Sequence, residues 1–341
     1  MRGTISYRSF DLGLLSKYRT HLMGISAVFV LICHSNVYDV AFPAFVRKIF
    51  RFGNVGVDIF FLLSGIGCYY SISRLAHHTM LGYGKWIGYR YLRIFVPYLL
   101  CHIIQWLLFA VIGILDIWDE LYVFSTVAFW TQHRGHWFIA ALIPLYAITP
   151  CLFNVFETSN RRYLIMIFLI ILFLVISILP NNCDYTILHE VFRNIQIVIW
   201  RTSSFILGLF LAPLVKNRIK VNLLYIISGP LLFSALFHLL FPSINYYIFL
   251  VLPICVIVCM ILESLKDTSI INRSLIFLGV MSLELYLTNQ TYRFVFAEIS
   301  SWYPESVILS GNFVGYFCVL LSGIITSWFV NSVSSKINLL K

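Results

Sequence analysis

Apolar runs of about 20 residues follow one another along this chain with short polar breaks between them, at 22–38, 55–73, 91–115, 137–155, 163–180, 197–215, 222–241, 246–263, 275–297 and 311–331. A hydrocarbon core about 30 Å thick takes roughly 20 helical residues to cross, so each run is close to one crossing. The runs are continuously apolar, and the alternating pattern of a transmembrane β-barrel is absent. The expectation is an all-α, polytopic transmembrane helix bundle of about ten spans, forming a single domain over 1–341. A composition of 60% hydrophobic and only 11% charged residues argues against two soluble domains of the same total length.

A formal net charge of +10 is the kind of balance nucleic-acid binders show, but the cations form no continuous stripe, and no nucleic-acid partner is expected. They follow topology instead. With a cytoplasmic N-terminus, the even-numbered loops carry Arg74, Lys85, Arg90 and Arg93, then Arg161 and Arg162, then Lys216, Arg218 and Lys220, then Lys266 and Arg273. Both termini are therefore expected in the cytoplasm, under the positive-inside rule. The loop with Arg47, Lys48 and Arg51 runs against that assignment. The first run lacks a small-residue cleavage site, so it reads as a span and not as a signal peptide. Of the cysteines, Cys255 and Cys259 lie one helical turn apart without a neighbouring His or Asp, and no metal site is expected.

A charged side chain at mid-membrane costs roughly 2.5–3.5 kcal/mol on insertion scales, so each one in a span needs a partner, water or a function. The residues that meet this test are His34, Asp58, Arg90, Arg93, His136, Arg201, Glu284 and Arg293. Span one runs outward and span two returns, which places His34 and Asp58 at similar depth. A carboxylate on one imidazole nitrogen raises the basicity of the other, the arrangement of a general base; the plainer alternative is a polar pin between two helices. Ser64 and Gly65 follow two turns on, on a small-residue surface. Trp86, Arg90, Arg93 and Pro97 share one stripe, where two arginines suit an anionic ligand or simply snorkel to the interface. His136 and Trp137 stand near the outer surface. Arg201 sits a turn below it, within reach of Asp184, Glu190 or a substrate. Ser282, Tyr286, Asn289 and Arg293 share a face of span nine, with Glu284 on another side, either protonated or paired.

Six segments, in order, resemble the acyltransferase-3 family of integral membrane O-acyltransferases: GISAVFVLICHS, GNVGVDIFFLLSG, the arginine pair of YRYLRIFVPY, HWFIAALIPLYAITP, FILGLFLA and LGVMSLELYLTNQ. Together they cover residues from about 20 to 330. The resemblance implies an acyl-CoA donor, usually acetyl-CoA, offered from the cytoplasm, and an acceptor hydroxyl on a glycan or lipid-linked sugar outside the bacterial cell membrane. It makes His34 the essential histidine, Asp58 the acidic position of the second motif, and Arg90 with Arg93 the pair that handles CoA. Ser64, His136, Trp137, Arg201, Glu284, Tyr286 and Asn289 are the candidate supporting residues. Two positions depart from the family pattern: Met23 stands where an arginine is usual, and Asn289 where a histidine is frequent. Asn289 can hydrogen-bond but cannot take a proton at neutral pH, which limits it to positioning. Oligomers and envelope-synthesis enzymes are the partners such a chain would have. The competing reading is a transporter or flippase for a lipid-linked sugar, with the same polar residues lining a path.

Overall fold

The computed structural model describes residues 9–35, 42–75, 78–177, 186–240, 246–266, 269–302 and 313–337. In chain order, strand β1 (Ser9–Asp11) precedes helices α1 (Gly13–Lys17), α2 (Arg19–His34), α3 (Ala44–Phe52), α4 (Val55–Ile72) and α5 (Met80–Val111). Next come α6 (Ile117–Phe124), α7 (Val127–Gln132), α8 (Trp137–Thr158), α9 (Arg162–Ile176), α10 (Thr186–Lys216) and strand β2 (Lys220–Asn222). A π-helical turn, Leu224–Ser228, runs into α11 (Gly229–Leu240), followed by α12 (Tyr247–Ser264), α13 (Ile270–Val280), α14 (Ser282–Trp302) and α15 (Phe313–Ser334). The fold is all-α apart from one short ribbon, as backbone that must satisfy itself in lipid requires.

Among the described residues, six helices are long and apolar enough to cross a membrane: Ala44–Ile72, α5, α8, Ile195–Lys216, α12 and Val314–Ser334. α13 and α14 pass the same test together but meet at 73°, giving a seventh if the bent pair is one crossing. The other apolar helices, α2, α9 and Leu224–Leu240, have 10–17 residues. Helix length thus supports six or seven crossings where hydropathy runs suggest about ten. The run at 22–38 stops being helical at His34, where Ser35 Oγ donates to the Ile32 carbonyl at 2.6 Å. The expected cytoplasmic termini, 1–8 and 338–341, lie outside the described residues.

The loop that ran against the positive-inside rule folds as α3. Phe45, Ile49 and Phe52 fall on one exposed face and Arg47, Lys48 and Arg51 on the other, the pattern of a basic amphipathic helix at a membrane surface.

Residue contacts divide the chain into two compact units, Met1–Met23 with Val57–Ala76 and Ile148–Ile276, and Gly24–Gly56 with His77–Ala147 and Phe277–Lys341. In the first unit, β1 and β2 pair antiparallel with Asp11 opposite Lys220. Here α4 and α10 touch backbone to backbone. A methyl group at Gly65 would stand 2.2 Å from the Phe205 carbonyl oxygen, and one at Gly208 would stand 2.0 Å from that of Leu62, so only glycine permits the approach. α10 closes in a Schellman turn, Ile219 N–H to Leu214 O at 3.0 Å and Arg218 N–H to Val215 O at 3.2 Å. The left-handed position of that turn, usually glycine, is Arg218 at φ 53°, a conformation that costs an L-residue about 1–2 kcal/mol.

In the second unit, α14 is fastened to α15 by the Thr288 hydroxyl, which meets Ser327 Oγ at 2.8 Å and the Gly323 carbonyl at 3.1 Å. α14 is tied to α5 by Thr291 Oγ1 donating to Gln105 Oε1 at 2.8 Å. The connection from α5 to α8 is clipped down: Glu120 accepts from Gln105 Nε2 at 2.8 Å and Trp106 Nε1 at 3.2 Å. Tyr316 of α15 donates to the Leu31 carbonyl of α2.

Candidate functional site

α2 ends on His34, half-buried, and α14 carries Asn289, which is 1% exposed. His34 Nδ1 and Asn289 Oδ1 are 2.9 Å apart. An amide oxygen only accepts, so with this amide orientation Nδ1 carries the proton and the Nε2 lone pair is left over. Asn289 is itself held in place by the packing of α14 on α15, and its buried Nδ2 has no hydrogen-bond partner among the described residues. Arg293, one turn further along α14, lies half-buried with its guanidinium 5.0 Å over the Phe294 ring.

One turn the other way, Tyr286 accepts the Phe138 backbone N–H at 3.4 Å, and its ring packs edge-on against Phe138 at 5.5 Å and His136 at 6.0 Å. His136, just before α8, is buried at 4% exposure and faces His102 of α5 at 5.0 Å, ring to ring at 86°. His102 is 1% exposed and sits among Tyr98, Phe124 and Trp106, with neither ring nitrogen hydrogen-bonded among the described residues. Trp137, half-buried, stacks edge-on with Phe138. The second unit therefore contains His34, Asn289, Tyr286, His136 and Trp137, all singled out from sequence. It also contains His102 and Gln105, which were not. Both stand in CHIIQW, inside the run 91–115; His102 meets the same test as His34 and His136, and Gln105 meets it once uncharged amides are included.

At the rim of this unit, Arg134 and Asp119 form a two-bond pair at 2.5 and 3.0 Å. The guanidinium's hydrogen bonds hold the Asp119 carboxyl below its ordinary pKa.

Glu284 is buried at 5% exposure and accepts from Asn331 Nδ2 at 3.1 Å. The same amide reaches the Val280 carbonyl at 3.3 Å, so Asn331 bridges the break between α13 and α14. Of the arginine pair, Arg90 lies half-buried over the Trp86 and Tyr146 rings, at 5.4 and 5.9 Å, whereas Arg93 is exposed. Aromatic faces fix one guanidinium, and the other is left on the surface.

Asp58 has different company from the imidazole expected for it. In the first unit it is 0% exposed, pairs with the guanidinium of Arg201, itself 1% exposed, and accepts from Ser204 Oγ at 2.7 Å. Arg201 also lies 5.9 Å over the Tyr247 ring. The carboxylate expected for Arg201 is thus Asp58; Asp184 and the Glu190 side chain lie outside the described residues. The orienting partner of His34 is a neutral amide. Each residue is described with a partner in its own unit, Asp58 with Arg201 and Ser204 and His34 with Asn289, and depth alone does not say which way around its helix a side chain points. Ser64 is half-buried beside the glycine seam. Arg19 lies against Gly67, where a methyl group would come within 3.0 Å of Nη2.

Neither the curated proteins nor the solved structures give a match to this chain. The chain is helical with several helices apolar and long enough to cross a membrane, and residues 21–332 match the acyltransferase-3 family, described as an acyltransferase domain; the chain belongs to that family.

Proposed function

We propose that this acyltransferase moves an acyl group, acetyl by preference, from acyl-CoA to a hydroxyl of an extracytoplasmic glycan or lipid-linked sugar, in the cell membrane of a bacterium. The observation that carries the reading is His34 with Nδ1 on Asn289. Nε2 takes the proton of the acceptor hydroxyl as its oxygen bonds to the thioester carbonyl carbon. The carbon–sulfur bond then breaks, and the imidazolium returns the proton to the CoA thiolate. General-base assistance of this kind is worth roughly 10²–10⁴-fold. Asn289 positions the base, and Arg90 and Arg93 take the donor's phosphates. Asp58 contributes through Arg201, holding α4 on α10, and His136, Trp137 and Tyr286 form the aromatic surroundings that suit a sugar ring.

The test is thermal unfolding of the purified protein with acetyl-CoA. A rise in Tm that is lost in an Arg90→Ala, Arg93→Ala variant supports the donor site. Mass analysis of surface glycan from cells with and without the protein names the acceptor. A second reading, transport of a lipid-linked sugar, is favoured by the 73° break between α13 and α14, because broken helices recur at transporter binding sites. Sugar movement into proteoliposomes without any acyl-CoA would support that reading and overturn the first.

A further inference from the structure

A cavity of about 410 Å³ opens in the first unit between α1, the end of α4 and the end of α10, within the range of about 300–1,000 Å³ usual for ligand sites. None of the residues assigned to transfer lines it. Four of its nine lining residues are basic, Lys17, Arg74, Lys216 and Arg218, and none is acidic. Two of the four are held by acids. Lys17 Nζ meets both oxygens of Glu263 at 3.0 and 3.2 Å, and Arg218 Nε and Nη2 meet Asp11 Oδ2 at 3.0 and 2.7 Å. Among the described residues, no carboxylate forms an ion pair with Arg74 or Lys216.

The turn that carries Arg218 adds an independent observation. Glycine would make the same Schellman turn without strain, yet the position holds an arginine at φ 53°, clamped at its head. Asp11, its clamp, also accepts the Gly13 N–H at 2.8 Å. Gly13 leaves room for both, since a methyl group there would stand 2.8 Å from Arg218 Cγ and 2.9 Å from Asp11 Oδ1. A disfavoured backbone that serves to present one side chain is the mark of a site. The positive-inside rule explains cations at this end of the helices; it does not gather four around one concavity and fix two of them.

We propose that this cavity binds a phosphate group, held between Arg74, Lys216 and the clamped Arg218, since guanidinium and ammonium donors match phosphate oxygens in charge and geometry. The phosphate can come from a soluble phosphoanhydride or from an anionic phospholipid headgroup. The proposal uses none of the transfer residues and stands or falls apart from that reading.

The probe is inorganic pyrophosphate, titrated against thermal unfolding of the full chain in uncharged detergent. Wild type and an Arg90→Ala, Arg93→Ala variant are compared, so that binding at those two arginines is set aside. A saturable rise in Tm is expected in both, with affinity weakened about tenfold or more when Arg74→Gln and Lys216→Gln are added. The charge-keeping changes Arg74→Lys and Lys216→Arg should retain most of the binding, which separates loss of charge from loss of fold. No saturable rise in either starting protein, or an undiminished rise after both glutamine changes, overturns the proposal. Repeating the titration in nanodiscs with and without phosphatidylglycerol identifies the source. Competition by the anionic lipid marks a headgroup site, and an unchanged titration marks a soluble ligand.

Discussion

Asp58 and His34 are both polar residues in runs otherwise suited to lipid, and their surroundings differ in kind. Asp58 is sealed and meets a full opposite charge on Arg201, along a seam where two helices touch backbone to backbone. His34 is half-buried and meets a neutral amide through Nδ1, with no hydrogen bond to Nε2 among the described residues. The first arrangement cancels what lipid penalises; the second leaves chemical capacity unused. An intramembrane polar residue therefore marks a site by what its neighbours leave unsatisfied, more than by its cost.

If this contrast is right, substitutions at the two centres should fail in different assays. His34→Ala should lower acyl transfer by roughly 10²–10⁴-fold while the Tm stays near wild type; a folded variant with full activity would break the contrast at its chemical end. Arg201→Leu should cost about 3–5 kcal/mol of stability by stranding the Asp58 charge, read as chemical unfolding in detergent. Removing both charges, Asp58→Asn with Arg201→Leu, should recover much of that loss. A double variant that folds well yet transfers nothing would move Asp58 into the chemistry. Asn289→Leu should lower kcat about 3- to 10-fold, the worth of one hydrogen bond, with KM little changed; a change confined to KM would make Asn289 a substrate contact. The smallest effect belongs to the exposed Arg134–Asp119 pair, where Arg134→Gln should cost about 0.2–1 kcal/mol at neutral pH. Because Asp119 titrates lower in the folded protein, that stabilisation is present above the unfolded aspartate value near 4. It disappears as pH falls through the folded value, so variant and wild type should converge in acid.

Much of this was legible in the chain. Continuous apolar runs fixed the helical class, because lipid leaves few alternatives, and the family segments from about 20 to 330 agree with a match over 21–332. The polar residues of interest stood out for the same reason. Their partners did not, because Asp58 meets Ser204 across 146 positions and His34 meets Asn289 across 255, and spacing carries no information at such separations. The bend at Met281 lies between Gly279 and Ser282, a weak kink signal that an apolar run conceals. The basic cavity was hidden because it depends on a three-residue ribbon, β1 with β2, that hydropathy cannot see.

The Asp58–Arg201 pair also has a history within each molecule's synthesis. Ser204, beside Arg201, is made 146 residues after Asp58, an interval of about 7–30 s at 5–20 residues per second. For that interval the chain carries Asp58 before its cation Arg201 has been made. The partially made chain must be tolerated by the insertion machinery with α4 incomplete in company. Variants at Arg201 would therefore be expected to show first as nascent protein lost before assembly, ahead of any lower Tm in the protein that survives.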